Sequence, residues 1–439
     1  MTRGLLFVAT AVTVCISLIC VGEAFHYLGI LPRFDRSGLA VAVVSALSFC
    51  AIGFAILRTA PFSFGYAVSF NFFCVILGYL WISPFSRLQY DHTVASVSAF
   101  ASGLFFIAAA NAGAVQLPRL VLPARVTSWL PITFLVIAAV TIASGARYNF
   151  RLVPMSDIYL YRHELDFPAP IRYANGIVLY ALLPFSFAWF VERRQPTLAA
   201  VSLLLMAAFY PITLGKFAVF APLWALFLLG LSRFVEARVA IMLSILLPLG
   251  VGLVFLGIDS ARGLEVYRVF GTVNFRMIAI PSISLDVYNA FFAEHPLTHF
   301  CQINIVRTFT GCMYGPQLGV EIANAYSLGN FNASLFSTEG IASVGPSWAP
   351  IVALVCGVII AIGNTASSHL PDRFILLSSC IVVQALINVP LATALLTHGT
   401  ALLFVLWYLM PKSLGLHSLQ NAEVDDKSFR QSAHRAVDN

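Results

Sequence analysis

The sequence predicts an all-α fold, a polytopic membrane bundle of about 12 helices with a long loop outside the membrane. Of the 439 residues, 59% are hydrophobic and only 10% are charged. An ordinary soluble domain has about 45–50% apolar and about 25% charged residues, so this composition excludes a soluble enzyme and a disordered chain. The apolar runs are about 17–20 residues long and do not alternate with a period of two, which favours membrane-spanning helices over a β-barrel.

Twelve apolar runs are long enough to span a bilayer. They cover residues 4–22, 38–57, 64–82, 94–114, 126–144, 173–191, 197–214, 217–232, 239–257, 347–363, 374–390 and 394–410. The run from Leu198 to Leu231 would measure about 51 Å as one helix, which exceeds the hydrocarbon core of about 30 Å. Pro211 and Gly215 lie at its middle, so we expect a helical hairpin that turns near Lys216.

Residues 374–410 also need a turn, for which Pro390 and His398–Gly399 are available. Apolar and aromatic residues at helical spacing predict an interfacial helix over 283–297.

The spans divide the chain into four segments. The four segments are helices 1–9 with an Arg-rich outer loop at 145–172 (1–257), a long extracytoplasmic loop (258–346), helices 10–12 (347–410) and a polar cytoplasmic tail (411–439).

Basic residues in the loops predict the orientation of the chain. With the N-terminus inside, 13 Lys and Arg lie inside and 12 outside, which decides nothing. The positive-inside rule applies to short loops, however, and the long loop is exempt. Without its four arginines the count is 13 against 8, which favours both termini inside.

The two large outer loops contain eight Arg and no Lys, among them Arg147, Arg151, Arg276 and Arg307. A guanidinium matches the geometry of phosphate oxygens, so these residues are candidates for binding a lipid-linked diphosphate. They could equally bind anionic headgroups or pair with nearby acidic residues. Lys216 is the one charge in its 34-residue run, and it either faces a cavity or reaches the membrane interface.

The most unusual polar stretch runs from residue 329 to residue 345. Asn330 and Asn332 could hydrogen-bond sugar hydroxyls, and Glu339 could act as a general base. The alternative is a loop in which Glu339 only stabilises the start of the next helix. Cys301 and Cys312 share a polar loop, where they form a disulfide only if the loop faces an oxidising compartment. No motif for a metal or a phosphate-binding loop is present, so we expect neither a metal nor another cofactor.

Four elements in order make the second half resemble the bacterial oligosaccharide repeat-unit polymerases (Wzy-type, O-antigen polymerases). Thr213–Lys216 forms a small-residue turn with a basic residue, and Arg276 precedes Pro281 and an aromatic helix. Asn330, Asn332 and Glu339-Gly340 follow, and a helix then starts at Gly345. The likeness covers about residues 200–365. The chain departs from the family in having Glu339 where Asp is commoner, which lengthens the reach of a base by one methylene.

The resemblance implies a metal-independent glycosyltransferase in the bacterial inner membrane. A glycan on undecaprenyl diphosphate would be transferred to a new lipid-linked repeat unit, and the lipid diphosphate would leave. The partners implied are membrane lipids, a chain-length regulator and a flippase, with no nucleic acid. Glu339 and Arg276 would be catalytic, with His398 or Glu321 as second choices for the base. The substrate-binding residues implied are Arg147, Arg151, Arg307, Lys216, Asn330 and Asn332.

Three other functions fit the same sequence. An O-antigen ligase-like enzyme would share the architecture and the donor but use a different acceptor. A transporter or flippase of lipid-linked glycans would predict internal repeats and charges within several spans, of which only Lys216 is seen. A non-catalytic partner of a polysaccharide assembly complex would tolerate substitution of the outer arginines.

Overall fold

The computed structural model describes residues 2–113, 118, 120–155, 157–162, 164–264, 267–315, 318–326 and 336–411. All regular secondary structure in this part of the chain is helical, which confirms the all-α fold class. The first helices are α1 (Thr2–Ala24), α2 (Leu39–Thr59), α3 (Phe64–Ile82), α4 (His92–Ala110), α5 (Ala124–Ala146), α6 (Ile158–Arg162), α7 (Ala169–Ile177), α8 (Leu183–Glu192), α9 (Pro196–Ala208), α10 (Tyr210–Thr213) and α11 (Lys216–Phe234).

The remaining helices are α12 (Ala237–Ala261), α13 (Arg268–Phe270), α14 (Ile280–Glu294), α15 (Asn304–Thr310), α16 (Leu318–Ala325), α17 (Phe336–Val344), α18 (Ala349–Ser367), α19 (Asp372–Leu386), α20 (Leu391–Leu396) and α21 (Thr400–Leu409). Two π-helical segments join neighbouring helices without a break. Val178–Leu182 joins α7 to α8, and Gly271–Ala279 joins α13 to α14.

Ten helices in the described residues are long and apolar enough to cross a membrane, which makes the chain a multi-pass membrane protein. They are Arg3–Ala24, Leu39–Thr59, Phe64–Phe85, His92–Ala110, Arg125–Ala146, Ala169–Glu192, Pro196–Thr213, Lys216–Phe234, Ala237–Ala261 and Ala349–Ser367. They confirm the first ten predicted spans. The predicted turn near Lys216 is also confirmed, because Leu214 adopts a left-handed conformation (φ 45°) two residues before α11 starts and separates two candidate spans.

The last two predicted spans are wrong in their lengths. Residues 372–409 form three helices, of which α19 has 15 residues, α20 has 6 and α21 has 10. The breaks occur where the sequence offers them, since Pro390 caps α20 and Gly399 turns the chain with φ 73° before α21. Each piece is shorter than a span of about 20 residues. The predicted tail beyond residue 411 lies outside the described residues.

The chain divides into two compact units. Unit 1 comprises Met1–Ala114, Leu228–Asn364 and Val382–Thr397, and unit 2 comprises Val115–Phe227, Thr365–Ile381 and His398–Asn439.

The centre of unit 1 is α3, which is apolar on all sides and almost wholly buried. It packs against α1, α2, α4, α12 and α14, as expected for a helix without a polar face. Asn364 joins its start to the end of α4. The Asn364 side chain accepts a hydrogen bond from the Gly65 N–H (2.6 Å) and donates one to the Ala110 carbonyl (2.7 Å).

The long loop of unit 1 is mostly helical. The predicted interfacial helix is longer than expected, because α13, the π-helical segment and α14 form one run from Arg268 to Glu294. Every residue from Pro281 to Phe292 is buried, and α14 packs against α3 and α17. The run is therefore a packed element of unit 1, although it is not among the ten candidate spans. Its position at the membrane surface stays a prediction.

In unit 2, α5 packs against α7, α8 and α9. The Phe185 and Phe374 rings meet edge to face at 5.5 Å, and Trp407 donates a hydrogen bond to Ser378 (3.0 Å). His369 donates to the Met410 carbonyl (2.8 Å), so the residues before α19 and after α21 lie at the same end of the unit.

Candidate functional site

Unit 1 contains an open apolar groove of about 550 Å³ with one carboxylate in its wall. This volume lies within the range of about 300–1,000 Å³ that is typical of ligand pockets. One face of α18, from Ile351 to Ile359, forms the floor along about 12 Å of helix. The lining residues are Phe300, Ile303, Glu339, Val344, Trp348, Ile351, Val352, Val355, Cys356, Ile359, Leu391, Ala392 and Leu395. We call this cavity the apolar groove.

Local backbone geometry places Glu339 in the groove. It lies in the first turn of α17, and Gly345 (φ 80°) turns the chain between α17 and α18. Gly340 lets the two helices approach each other, because a Cβ there would come within 2.8 Å of Ala349 Cα. Gly340 therefore allows α17 to pack closely against the start of α18, and this close packing places the carboxylate of the neighbouring Glu339 beside α18.

The Glu339 carboxylate is held by a backbone group. Its Oε2 atom accepts a hydrogen bond from the Leu391 N–H (3.3 Å), at the first residue of α20. Burial among apolar side chains raises the pKa of Glu339 above its ordinary value, and the bond from Leu391 opposes that shift. A carboxylate with a raised pKa accepts a proton more readily, which suits a general base.

Residues 298–303 form a second wall of the groove. The Thr298 N–H donates to the Ala342 carbonyl (2.7 Å), and the hydroxyl groups of Thr298 and Ser343 are 3.1 Å apart. These bonds fasten the segment to α17. Phe300 and Ile303 are thereby held in the groove beside Glu339.

Arg307 lies one helical turn beyond this wall. Its backbone N–H donates to the Ile303 carbonyl (2.9 Å), and its guanidinium donates to the Tyr314 carbonyl (3.3 Å). A disulfide between Cys301 and Cys312, one of the two alternatives for these cysteines, encloses α15. Arg307 is half-buried and is thus held in a covalently closed loop, one helical turn along the chain from Ile303 of the groove.

Unit 2 brings Arg147, Arg151 and Lys216 to one end of a hairpin. The Asn149 side chain donates to the Ile212 carbonyl (2.7 Å), and the Arg151 N–H donates to the Pro211 carbonyl (2.9 Å). These bonds attach the segment after α5 to the turn that precedes Lys216. All three cationic side chains are exposed.

The predicted pairing of outer arginines with nearby acidic residues applies to Arg151. Its guanidinium forms an ion pair with Glu164 (2.5 Å) and lies 5.3 Å from the centre of the Tyr161 ring. Arg147 is the C-cap residue of α5. Because exposed ion pairs are weak, the Arg151–Glu164 pair can exchange for a phosphate at small cost.

Arg276, Glu321 and His398 are not among the lining residues of the groove. Arg276 is exposed on the π-helical segment, and among the described residues no hydrogen bond or ion pair joins it to Glu339 or Arg307. Glu321 is exposed on α16, and the His398 ring packs against Tyr180 in unit 2. The predicted binding residues Asn330 and Asn332 lie outside the described residues.

Sequence reasoning missed a buried carboxylate in unit 1. Asp286 of α14 accepts hydrogen bonds from the Tyr90 hydroxyl and from the Ser86 hydroxyl (2.7 Å), both in the loop between α3 and α4. It also missed Leu391, whose role depends on a contact between distant parts of the chain. The helical pattern around Asp286 does place a polar residue on an apolar helix, which is a signal for a buried partner.

Comparisons with protein-family models, with curated proteins and with solved structures find no match to this chain.

Proposed function

We propose that this chain is a membrane glycosyltransferase that joins oligosaccharide repeat units carried on a polyprenyl diphosphate such as undecaprenyl diphosphate. The observation that carries the proposal is the Glu339 carboxylate in the wall of an otherwise apolar groove. A groove along α18 suits a hydrocarbon chain, and a carboxylate beside it suits a reacting hydroxyl at the end of a lipid-linked substrate.

In the proposed reaction, Glu339 takes the proton from the acceptor hydroxyl as that oxygen bonds to the donor sugar. The bond between the donor sugar and its diphosphate breaks, and the lipid diphosphate leaves with the electron pair. Arg307 lies one turn from the groove and would stabilise the negative charge on the leaving group. Arg276 stays a predicted catalytic residue.

Both substrates of such a reaction carry a diphosphate, so two cationic sites are needed. Arg307 of unit 1 is one, and Arg147, Arg151 and Lys216 of unit 2 form the other.

We place the protein in the bacterial inner membrane with both termini inside and the long loop outside. The Cys301–Cys312 disulfide supports this orientation, because disulfides persist in oxidising compartments. A chain-length regulator and a flippase are the partners that we expect for the reaction.

The test is the length ladder of surface polysaccharide in a strain that lacks this chain, complemented with Glu339→Gln, Glu339→Asp or the wild type. We expect the Gln variant to give single repeat units attached to their acceptor and the Asp variant to retain part of the ladder. Glu294→Gln is the matched control, since Glu294 is exposed at the end of α14. Normal expression of each variant is checked by immunoblotting.

A full ladder from normally expressed Glu339→Gln would contradict the role of Glu339. If loss of the chain leads instead to long polymer on the lipid, the chain is a ligase. Lipid-linked single units that accumulate on the cytoplasmic face would indicate a flippase, and an unchanged ladder would overturn the proposal.

A further inference from the structure

Unit 1 contains a second cavity, of about 370 Å³, whose wall is polar. It lies between the end of α1, the segment that follows α1 and the loop between α3 and α4. Its lining residues are Gly22, Glu23, His26, Leu31, Pro32, Arg33 and Arg87. None of them lines the apolar groove. We call this cavity the arginine pocket.

The arginine pocket has an excess of positive charge. The Arg33 and Arg87 side chains are exposed, and neither forms an ion pair within the part of the chain that the structure describes. Glu23 lines the same pocket and contributes the one negative charge. The His26 Nδ1–H donates to the Glu23 carbonyl (2.9 Å), which leaves Nε2 as the ring nitrogen for a ligand. Two guanidinium groups against one carboxylate attract an anion.

Hydrogen bonds of the neighbouring Ser86 hold the segment that carries Arg87 in place. The Ser86 hydroxyl donates to the buried Asp286 carboxylate (2.7 Å) and accepts a hydrogen bond from the Leu88 N–H (3.1 Å). Arg87 lies between these two residues. Its backbone position is therefore set before any ligand binds, which lowers the entropic cost of binding.

The segment that carries Arg33 is joined to the same loop. The Phe34 ring packs on the Phe85 ring with a centroid distance of 4.7 Å. The two arginines thus belong to segments that touch each other through an aromatic pair. The packing of these two segments therefore holds both arginines at the same pocket.

We propose that the arginine pocket binds an anion carried on a polyol, such as a hexuronate or a sugar phosphate. The guanidinium groups pair with carboxylate or phosphate oxygens, and the Glu23 carboxylate accepts hydrogen bonds from hydroxyl groups. A bare anion would meet the repulsion of Glu23 without that compensation. The proposal does not depend on glycosyl transfer, because the pocket and the apolar groove have separate walls.

The test is direct binding to the full-length protein in phosphatidylcholine nanodiscs, followed by saturation-transfer NMR. Glucuronate and glucose 1-phosphate are the probes, and glucose and acetate are the comparison compounds. We expect the two probes to bind at least about tenfold more tightly than either comparison compound. The double substitution Arg33→Gln with Arg87→Gln should weaken probe binding by about tenfold or more.

Arg36→Gln is the matched control, since Arg36 is exposed on the same segment but does not line the pocket. Glu23→Gln tests the polyol part separately, and it should reduce the preference for glucuronate over acetate. Thermal unfolding shows that each variant is folded. The proposal is overturned if neither probe binds at millimolar concentration, if the double variant binds as the wild type does, or if Glu23→Gln leaves the preference unchanged.

A lipid headgroup offers the same chemistry, because phosphatidylglycerol carries glycerol hydroxyls on its phosphate. Nanodiscs that contain this lipid separate the two sources. If the lipid displaces glucuronate from the wild type, and its retention needs Arg33 and Arg87, the headgroup is the occupant. If glucuronate still binds, the occupant is a soluble or glycan-borne anion.

Discussion

The carboxylate of Glu339 and the backbone N–H of Leu391, 52 residues apart in the chain, form a hydrogen bond at the apolar groove. The candidate base therefore belongs to the long loop, but its carboxylate is held by α20, an element from a later part of the chain. Any change that shifts α20 should act on Glu339 as well.

The raised pKa of Glu339 predicts the acid side of the pH profile for glycosyl transfer. Burial raises this pKa, so the ionised base is lost at a higher pH than for an ordinary glutamate at about 4.3. The initial rate with purified lipid-linked repeat units should fall as the pH falls through that raised value. Glu294→Gln should leave the profile unchanged. A rate that falls only at or below about pH 4.3, as for an ordinary glutamate, or that does not fall at all, would contradict the prediction.

Filling the apolar groove should weaken binding of the lipid chain. Val352 lines the groove, and Val352→Trp should raise KM for the lipid-linked substrate by roughly tenfold with a smaller effect on kcat. Val358→Trp is the matched control, because Val358 is exposed on α18 and does not line the groove. Equal effects of the two variants on KM would contradict a binding role for the groove.

The Cys301–Cys312 disulfide predicts that the segment with Arg307 faces an oxidising compartment and that the disulfide stabilises the fold. Neither cysteine should react with a maleimide in intact cells until a reductant is added. Replacing both by serine should lower the free energy of unfolding by about 2–3 kcal/mol, since the closed loop is short. The readout is a mass-tag gel shift together with thermal unfolding. Labelling without reductant would mean that the loop faces a reducing compartment.

Asn364 should contribute more to stability than an exposed asparagine does. Asn364→Leu removes the bonds to the Gly65 N–H and the Ala110 carbonyl and leaves both groups unpaired in an apolar region. The expected loss is about 1–3 kcal/mol in the free energy of unfolding, seen as a lower midpoint in detergent. Asn304→Ala is the control, because Asn304 is exposed at the start of α15. Equal midpoints for the two variants would contradict this role.

The spans could be predicted because hydrocarbon thickness sets their length, and Pro211 and Gly215 identified one turn correctly. The breaks at Pro390 and Gly399 could also be predicted, but the short helices between them could not, since the Leu391–Glu339 contact that holds α20 appears in no local pattern. The burial of the helix around Asp286 was not predicted, because apolar and aromatic residues have the same spacing in an interfacial helix and in a buried one.

The candidate site was predicted in part. Glu339 and Arg307 lie at or near one groove, because neighbouring residues place both of them. Arg33 and Arg87 were not singled out, since they come from loops that meet only through the packing of Phe34 on Phe85. A contact of that kind is set by tertiary structure and leaves no spacing in the sequence.

We expect Asp286 to contribute more to the free energy of unfolding in mild acid than at neutral pH. Burial raises the pKa of Asp286 from 3.8 to about 6, although the bonds from Tyr90 and Ser86 lower it. The folded state therefore binds the proton more tightly than the unfolded state. The contribution to stability is greatest below about pH 4, decreases between about pH 4 and 6, and then levels off, with a total change of about 3 kcal/mol.

Asp286→Asn should remove this pH dependence and unfold at a temperature no lower than the wild type at pH 8, because the amide keeps an acceptor for Tyr90 and carries no charge. Glu294→Gln on the same helix is the matched control and should keep the slope of the wild type. Thermal midpoints in detergent across the pH range measure the difference. If the Asp286→Asn protein and the wild type show the same slope, Asp286 is not the group that titrates, and another buried carboxylate such as Glu339 must carry the dependence.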